Sequence, residues 1–204
     1  MNAKSLLSRS FAESGLLYNQ IMCAIQSSPD GLERIQAIAF DVDGVLTDGG
    51  VWWGPAGEEW KRFSFADIMG VSLARRAGLG LALISGEDSP LVDRYAKKMH
   101  IGHVYKGCRD KATALLEFAS ATGVPLANIC FMGNDINDLP AVHIAGFSAA
   151  PATASKDVLS SVHFISRQNG GNGAVRELVD VILSARGLQA FDLFSKAPDV
   201  NLIK

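Results

Sequence analysis

The sequence predicts an α/β domain in three layers, a parallel sheet with helices on both faces. Short apolar runs bounded by turn residues recur along the chain, and a stretch of helical periodicity follows most of them. Strands that alternate with helices in this way build parallel sheets. With 204 residues, 48% of them hydrophobic, the chain can bury one core of ordinary size.

Residues 1–31 read as a leader. Lys4 and Arg9 are basic, but Ser8, Ser10, Glu13 and Ser14 interrupt any apolar stretch of the secretory kind, so an amphipathic helix is expected. SSPDG at 27–31 is turn chemistry and closes the leader. The main domain is expected over 32–186. A buried strand at 35–40 feeds DVDG. Residues 50–65 predict a β-hairpin, with Trp52, Trp53, Trp60, Phe63 and Phe65 on its arms and a turn at Gly54-Pro55-Ala56-Gly57. A helix over 67–77 leads to a strand at 79–84, and a helix over 89–99 to a short strand at 103–105. A helix at 110–119, a strand at 129–132, a helix at 137–144 and a strand at 147–149 follow. A strand at 162–165 and a helix at 173–185 end the domain. The tail, 187–204, has no strong pattern and is expected to be mobile or to dock on a neighbouring copy.

Composition narrows the function. No apolar run reaches the length of a membrane span. A net charge of -2 gives no footprint for nucleic acid or an anionic membrane. Cys23, Cys108 and Cys130 are scattered without CxxC spacing, which points to reduced thiols in the cytoplasm. His100, His103, His143 and His163 lack the spacing of metal ligands.

In sheets of this kind, ligands sit beyond the carboxyl ends of the strands. Asp41 and Asp43 follow the first strand, and Ser85 and Gly86 follow the next. Lys111 opens the helix after the third, and Asn134, Asp135 and Asp138 follow the fourth. Taken singly these are ordinary residues: a turn serine, a solvated lysine, an Asn or Asp capping a helix. Brought together they suit phosphoryl transfer. One carboxylate can attack phosphorus, and a second, two residues on, can protonate the leaving oxygen and then activate water. A divalent ion offsets the repulsion between anionic nucleophile and anionic phosphate. Ser85 and the Lys111 ammonium can hold phosphoryl oxygens.

FDVDGVLTDGG, LISGE, the lysine of GCRDK and MGNDIND, in that order, resemble the four motifs of the haloacid dehalogenase superfamily of phosphatases. The resemblance spans about 35–185. DVDGVLTDGG, the short hairpin and GGNGAVREL resemble, more narrowly, the 3-deoxy-D-manno-octulosonate 8-phosphate phosphatase family. That family includes a branch acting on nine-carbon, sialic-acid-type 9-phosphates, and the domains fused to some acylneuraminate cytidylyltransferases. The resemblance implies a Rossmann-like, three-layer fold with a hairpin flap and no large cap domain. It implies Asp41 as nucleophile and Asp43 as general acid/base. Mg²⁺ would be held by Asp41 and the Asp43 carbonyl, and the phosphoryl group by Ser85, Gly86 and Lys111. It also implies a homotetramer in which the hairpin helps a neighbour close its site. Aromatic arms left in water would be a liability, which agrees.

Three positions bear on metal and substrate. Family phosphatases often read GDDxxD where this chain reads GNDIND, so Asn134 stands where an aspartate usually binds metal. Either the Asn134 amide ligates, or Asp135 swings in or supports the metal waters, with Asp138 behind them. Glu87 stands where the 8-phosphate enzymes usually carry arginine and the 9-phosphate enzymes glutamate. Lys98 matches a lysine of the 9-phosphate branch, and Asp67 an aspartate that lines the pocket. These tip the substrate toward a nine-carbon ulosonate 9-phosphate. The octulosonate 8-phosphate and a non-catalytic tetramerising module stay open as alternatives. A phospho-accepting receiver domain fits the DxD order less well. GGNG at 170–173 lacks the lysine spacing of a nucleotide loop and reads as a tight turn near the mouth of the site. Arg176 reads as an interface salt-bridge residue rather than a contact to an anionic substrate from a neighbouring subunit.

Overall fold

The computed structural model describes residues 31–195. The helix expected in the leader, and the tail beyond 195, lie outside the described residues. The strands are β1 (Ala37–Phe40), β2 (Trp52–Trp53), β3 (Glu59–Trp60), β4 (Gly80–Ile84), β5 (His103–Tyr105), β6 (Ile129–Met132), β7 (Phe147–Ala150) and β8 (Phe164–Ile165). The helices are α1 (Phe65–Arg76), α2 (Pro90–Met99), α3 (Lys111–Thr122), α4 (Leu139–Ile144), α5 (Lys156–Leu159), α6 (Ala174–Ala185) and α7 (Ala190–Ser195).

Six strands form one sheet in the order β5-β4-β1-β6-β7-β8, and every pairing is parallel. The period of two along each strand separates two cores. Ile38, Phe40, Leu81, Leu83, Cys130 and Met132 pack with residues of α1, α2 and α6. Ala37, Ala39, Ala82, Ile84, Ile129 and Phe131 pack with α3 and α4 on the other face. The three layers are therefore as the sequence implies.

Capping residues set the helix starts. The Ser64 side chain accepts from Ala66 N–H and starts α1 at Phe65, two residues before the expected helix. Phe65 thus belongs to α1 and not to the hairpin arm. Ser89 accepts from Leu91 N–H, with Pro90 opening α2. Asp110 accepts from the N–H groups of Ala112 and Thr113, so α3 begins at Lys111. The hairpin is shorter than expected: Trp52 pairs with Trp60 and Trp53 with Glu59. The expected helix at 137–144 is a 3-10 turn, Ile136–Asp138, followed by α4. Two short helices had no clear signal, α5 and α7; α7 occupies part of the tail.

The Gly-rich turn at 170–173 packs backbone to backbone on the loop after β1. A Cβ at Gly170 would overlap the Gly44 carbonyl, and one at Gly171 the backbone of Thr47 and Asp48. Gly171 N–H donates to the Val45 carbonyl at 2.9 Å. Gly170→Ala must push these loops apart and should cost about 1–3 kcal/mol. A urea midpoint unchanged from the parent would show that the contact yields freely.

Candidate active site

The strand order reverses across β1. β1 lies between β4 and β6, and the chain reaches these neighbours from opposite directions. Carboxyl ends at such a switch point open a crevice. Asp41 is the first residue beyond β1, and its N–H donates to the Met132 carbonyl at 2.9 Å, extending the ladder. The loop then turns back on itself. Leu46 and Thr47 N–H both donate to the Val42 carbonyl at 3.0 Å. The buried Thr47 hydroxyl accepts from Gly44 N–H at 3.2 Å and Gly49 N–H at 3.3 Å. Gly44 sits at φ 86°, and a Cβ there would overlap the Asn134 amide. This explains the residue types of DVDGVLTDGG: carboxylates for chemistry, glycine for close approach, threonine to pin the turn.

Lys111 is 1% exposed, and Asp138 and Asp41 are 0% and 4% exposed. The Lys111 ammonium lies 2.7 Å from Asp41 Oδ1 and 2.6 Å from Asp138 Oδ1. The other Asp138 oxygen accepts from Asn134 N–H at 2.7 Å and Asp135 N–H at 3.0 Å. Burial pushes the Asp41 carboxyl up to about 7, the charge of Asp138 adds to the rise, and Lys111 opposes it. Burial also works against the charge of Lys111, but the two carboxylates outweigh it and hold its pKa above the ordinary lysine range.

Beside this clamp three oxygens converge. The Asn134 side-chain oxygen faces only acceptors, the Asp43 carbonyl oxygen and Asp41 Oδ2. Turned over, the amide would donate to the same two atoms at 3.0 and 2.9 Å. Asp135 is placed elsewhere. It is exposed, and its carboxylate accepts from Ile136 N–H at 2.8 Å as the cap of the 3-10 turn. Of the two candidates, then, the fold brings Asn134 to Asp41 and gives Asp135 a capping role, in a capping box that Asp138 completes by accepting from Asp135 N–H. Among the described residues no three His, Cys, Asp or Glu side chains gather into a metal site. The oxygen set here is instead one carboxylate, one amide and one carbonyl.

Ser85, fully buried, lies just past β4, and its hydroxyl accepts from Glu87 N–H at 3.1 Å. Gly86 is exposed beside it and close to Asn137. Glu87 reaches a partner that sequence reading missed. The Lys61 ammonium, from the hairpin, lies 2.5 Å from Glu87 Oε2 and 2.8 Å from Asp43 Oδ1. The available signal was plain: Lys61 and Arg62 are the only cations between 50 and 65, on a hairpin next to an anionic site.

Two expected substrate residues are placed away from the site of their own chain. Lys98 is exposed on the last turn of α2. A crossover helix runs back against its strands, so this turn lies toward their amino ends. Asp67 is 1% exposed, and its oxygens accept from Gly173 N–H and Arg176 N–H, both at 3.0 Å. It is the cap of α6 rather than a pocket residue. Arg176 pairs within α6 with Asp180 at 2.9 Å, a bridge inside one helix and not the interface bridge expected.

A family model for haloacid dehalogenase-like hydrolases matches residues 84–178. The 3-deoxy-D-manno-octulosonate 8-phosphate phosphatase of Escherichia coli K12 is 34% identical over 155 residues, 76% of this chain and 82% of that one. The chain belongs to this phosphatase family of the haloacid dehalogenase-like hydrolases. A second family member, from Haemophilus influenzae, is 36% identical over 156 residues, 76% of this chain and 87% of its own. Among solved structures, the Moraxella catarrhalis phosphatase, in complex with magnesium, phosphate and KDO, superposes with a TM-score of 0.76. It is 36% identical, over 80% of this chain and 93% of that one. The cobalt-bound Haemophilus influenzae phosphatase gives 0.75 at 36% identity, over 78% and 92%. This family assignment fits the fold, and among the described residues no large cap domain is inserted.

Asp67→Ala leaves two N–H groups at the start of α6 without their acceptor. It should cost about 2–4 kcal/mol of stability and leave the KM of the folded fraction near the parent's. A stable variant with a raised KM would return Asp67 to the pocket.

Proposed function

We propose that the chain is a Mg²⁺-dependent phosphatase that removes phosphate from a 2-keto-3-deoxy sugar acid phosphate through an aspartyl-phosphate on Asp41. The convergence of Asp41 Oδ2, the Asp43 carbonyl and the Asn134 amide oxygen beside the Lys111 clamp carries this reading. With its oxygen inward, the Asn134 amide completes with these two atoms a set of three oxygens that suits a hard cation. Mg²⁺ accepts such a set and keeps positions for water and phosphate oxygens. When bound, the ion would offset negative charge on the phosphoryl group.

The chain's own residues supply the rest. Ser85, the Gly86 backbone and Lys111 hold the phosphoryl oxygens. A carboxylate oxygen of Asp41 forms a bond to phosphorus as the bond from phosphorus to the sugar oxygen breaks, and Asp43 gives that oxygen its proton. Asp43 then takes a proton from water, whose oxygen attacks phosphorus. The bond to Asp41 breaks, and inorganic phosphate leaves.

For the substrate we favour a nine-carbon ulosonate 9-phosphate, on Glu87 in place of the arginine of the 8-phosphate enzymes. Its carboxylate, partly balanced by Lys61, suits hydroxyl or amide hydrogens better than a second carboxylate. The names of the relatives favour octulosonate 8-phosphate as the alternative. A non-catalytic tetramerising module is the remaining one, motivated by Asn134.

We further propose a homotetramer whose hairpins act on neighbouring copies. Trp52, Trp53 and Trp60 are 53%, 77% and 52% exposed, and a neighbour would cover them. Among the described residues no helix is long and apolar enough to cross a membrane. Free Cys108 and Cys130 agree with a cytoplasmic setting.

Phosphate release should be measured with Mg²⁺ and with EDTA on octulosonate 8-phosphate, two nine-carbon ulosonate 9-phosphates and a hexose phosphate. Turnover of the 9-phosphates at least about tenfold above the others, abolished by EDTA and by Asp43→Asn, is expected. Preference for the 8-phosphate would make Glu87 a poor guide to the branch. No turnover on any of them, in a folded tetramer, would leave the module reading. Asn134→Ala should weaken Mg²⁺ binding in calorimetry; unchanged affinity would sink the amide as a ligand.

A further inference from the structure

The hairpin carries one side chain into the site, and its surroundings are unlike those of a surface lysine. The Lys61 side chain is 1% exposed. Its ammonium meets three carboxylates: Asp43 at 2.8 Å, Glu87 at 2.5 Å and Glu59 at 3.5 Å. Glu59 belongs to the hairpin. Asp43 belongs to the loop after β1, and Glu87 to the loop after β4, so this ammonium joins three separate segments. The contact with Glu87 is a hydrogen bond, and those with Asp43 and Glu59 are ion pairs.

The next residue ties the same arm down on the other side. Arg62 Nε donates to Asp48 at 2.8 Å, and Arg62 Nη2 to the Gly171 carbonyl at 3.0 Å. Arg62 thus holds the root of the hairpin to Asp48 and the Gly-rich turn, while Lys61 reaches Asp43 and Glu87. Burial works against the charge of Lys61, but the hydrogen bonds and charges of Asp43 and Glu87 outweigh it. It stays an ammonium throughout the working range of the enzyme.

We infer that Lys61 is a positioning residue by which the hairpin orients the Asp43 carboxylate of its own chain. The ammonium fixes Asp43 against Glu87. Without it, Asp43 loses that partner and is free to rotate away from the leaving oxygen. Lys61 itself needs no contact with the phosphoryl group, which Ser85 and Lys111 hold. The inference rests on the phosphatase reading above for the role of Asp43, and on geometry alone for the hairpin.

All three tryptophans of the chain lie on the hairpin, at 52, 53 and 60, so intrinsic fluorescence reports on that element alone. In the full-length protein, Lys61→Met should raise the acrylamide quenching of this fluorescence. It should also lower kcat by about 10–100-fold, a part of what acid/base catalysis supplies. Inhibition by inorganic phosphate should stay within about threefold, since Ser85 and Lys111 hold the phosphoryl group, and any change in KM through Glu87 should be smaller than the loss in kcat. Lys61→Arg keeps the charge and should recover most of kcat. It is the variant to read if Lys61→Met fails to fold by circular dichroism, with quenching near the parent's as the expected result. Unchanged quenching and kcat in Lys61→Met would overturn the inference, and so would a rise in KM alone, which would make Lys61 a substrate contact. A parent enzyme that hydrolyses no phosphomonoester would instead overturn the phosphatase reading, so the two failures are distinct.

Discussion

One buried ion cluster organises the site. Lys111 sits between Asp41 and Asp138, all three nearly out of water. Such a cluster survives only when each charge is paired and each lone pair is met, because taking ions out of water costs several kcal/mol apiece. Asp138 meets this demand with the ammonium on one oxygen and two backbone N–H groups on the other. It thereby fixes the start of the GNDIND turn, and with it the Asn134 side chain. Asp41 is less complete. Lys111 satisfies one oxygen and the other faces the Asn134 amide, while burial and the charge of Asp138 raise its pKa. The cluster is built around Asp138, and Asp41 is left open to take a further partner.

The frame around this cluster is set by backbone approach more than by side-chain packing. The loop after β1 is held from within by Thr47 and from outside by Gly170 and Gly171. The second of these supports continues into α6, whose first N–H groups are capped by Asp67 from α1. A single line of contacts thus runs from the loop after β1 through the Gly-rich turn to the layer of helices beneath it. Arg62 adds the hairpin to that line by bonding both Asp48 and Gly171. The hairpin is therefore fixed to the same two loops that define the position of Asp41.

What was legible in the sequence follows from this geometry. Asp41, Asp43, Ser85, Lys111 and Asn134 were singled out by one rule, that ligands gather at the carboxyl ends of parallel strands, and each is placed within three residues of its strand or at its helix start. The rule is local, so a single chain suffices to apply it. Asp67 is placed differently from its reading for the opposite reason, whereas the Gly-rich turn is the tight turn expected. Asp67 meets Gly173 across 106 residues, and nothing near either position signals the other. A buried carboxylate close to a site and one capping a distant helix look the same in one dimension. Lys98, at the far end of a crossover helix, is carried away from the site of its own chain by the same antiparallel run that returns the chain. Lys61 was passed over because its hairpin reads by its aromatics, which are conspicuous, whereas the inward cation is not.

The substitution of an amide for a carboxylate at 134 then has a physical reading of its own. An aspartate there would set a charged oxygen against Asp41 Oδ2 and the Asp43 carbonyl, beside the further negative charge of Asp138. Without a cation those oxygens repel in a buried setting, and the loops would have to move apart. An amide has two faces. With its oxygen inward it offers a hard, neutral ligand; with its nitrogen inward it donates to both acceptors at hydrogen-bonding distance. It therefore trades some attraction for a cation against a site that stays assembled without one. That exchange leaves every other contact of the cluster in place, which favours an adjusted metal site over an abandoned one.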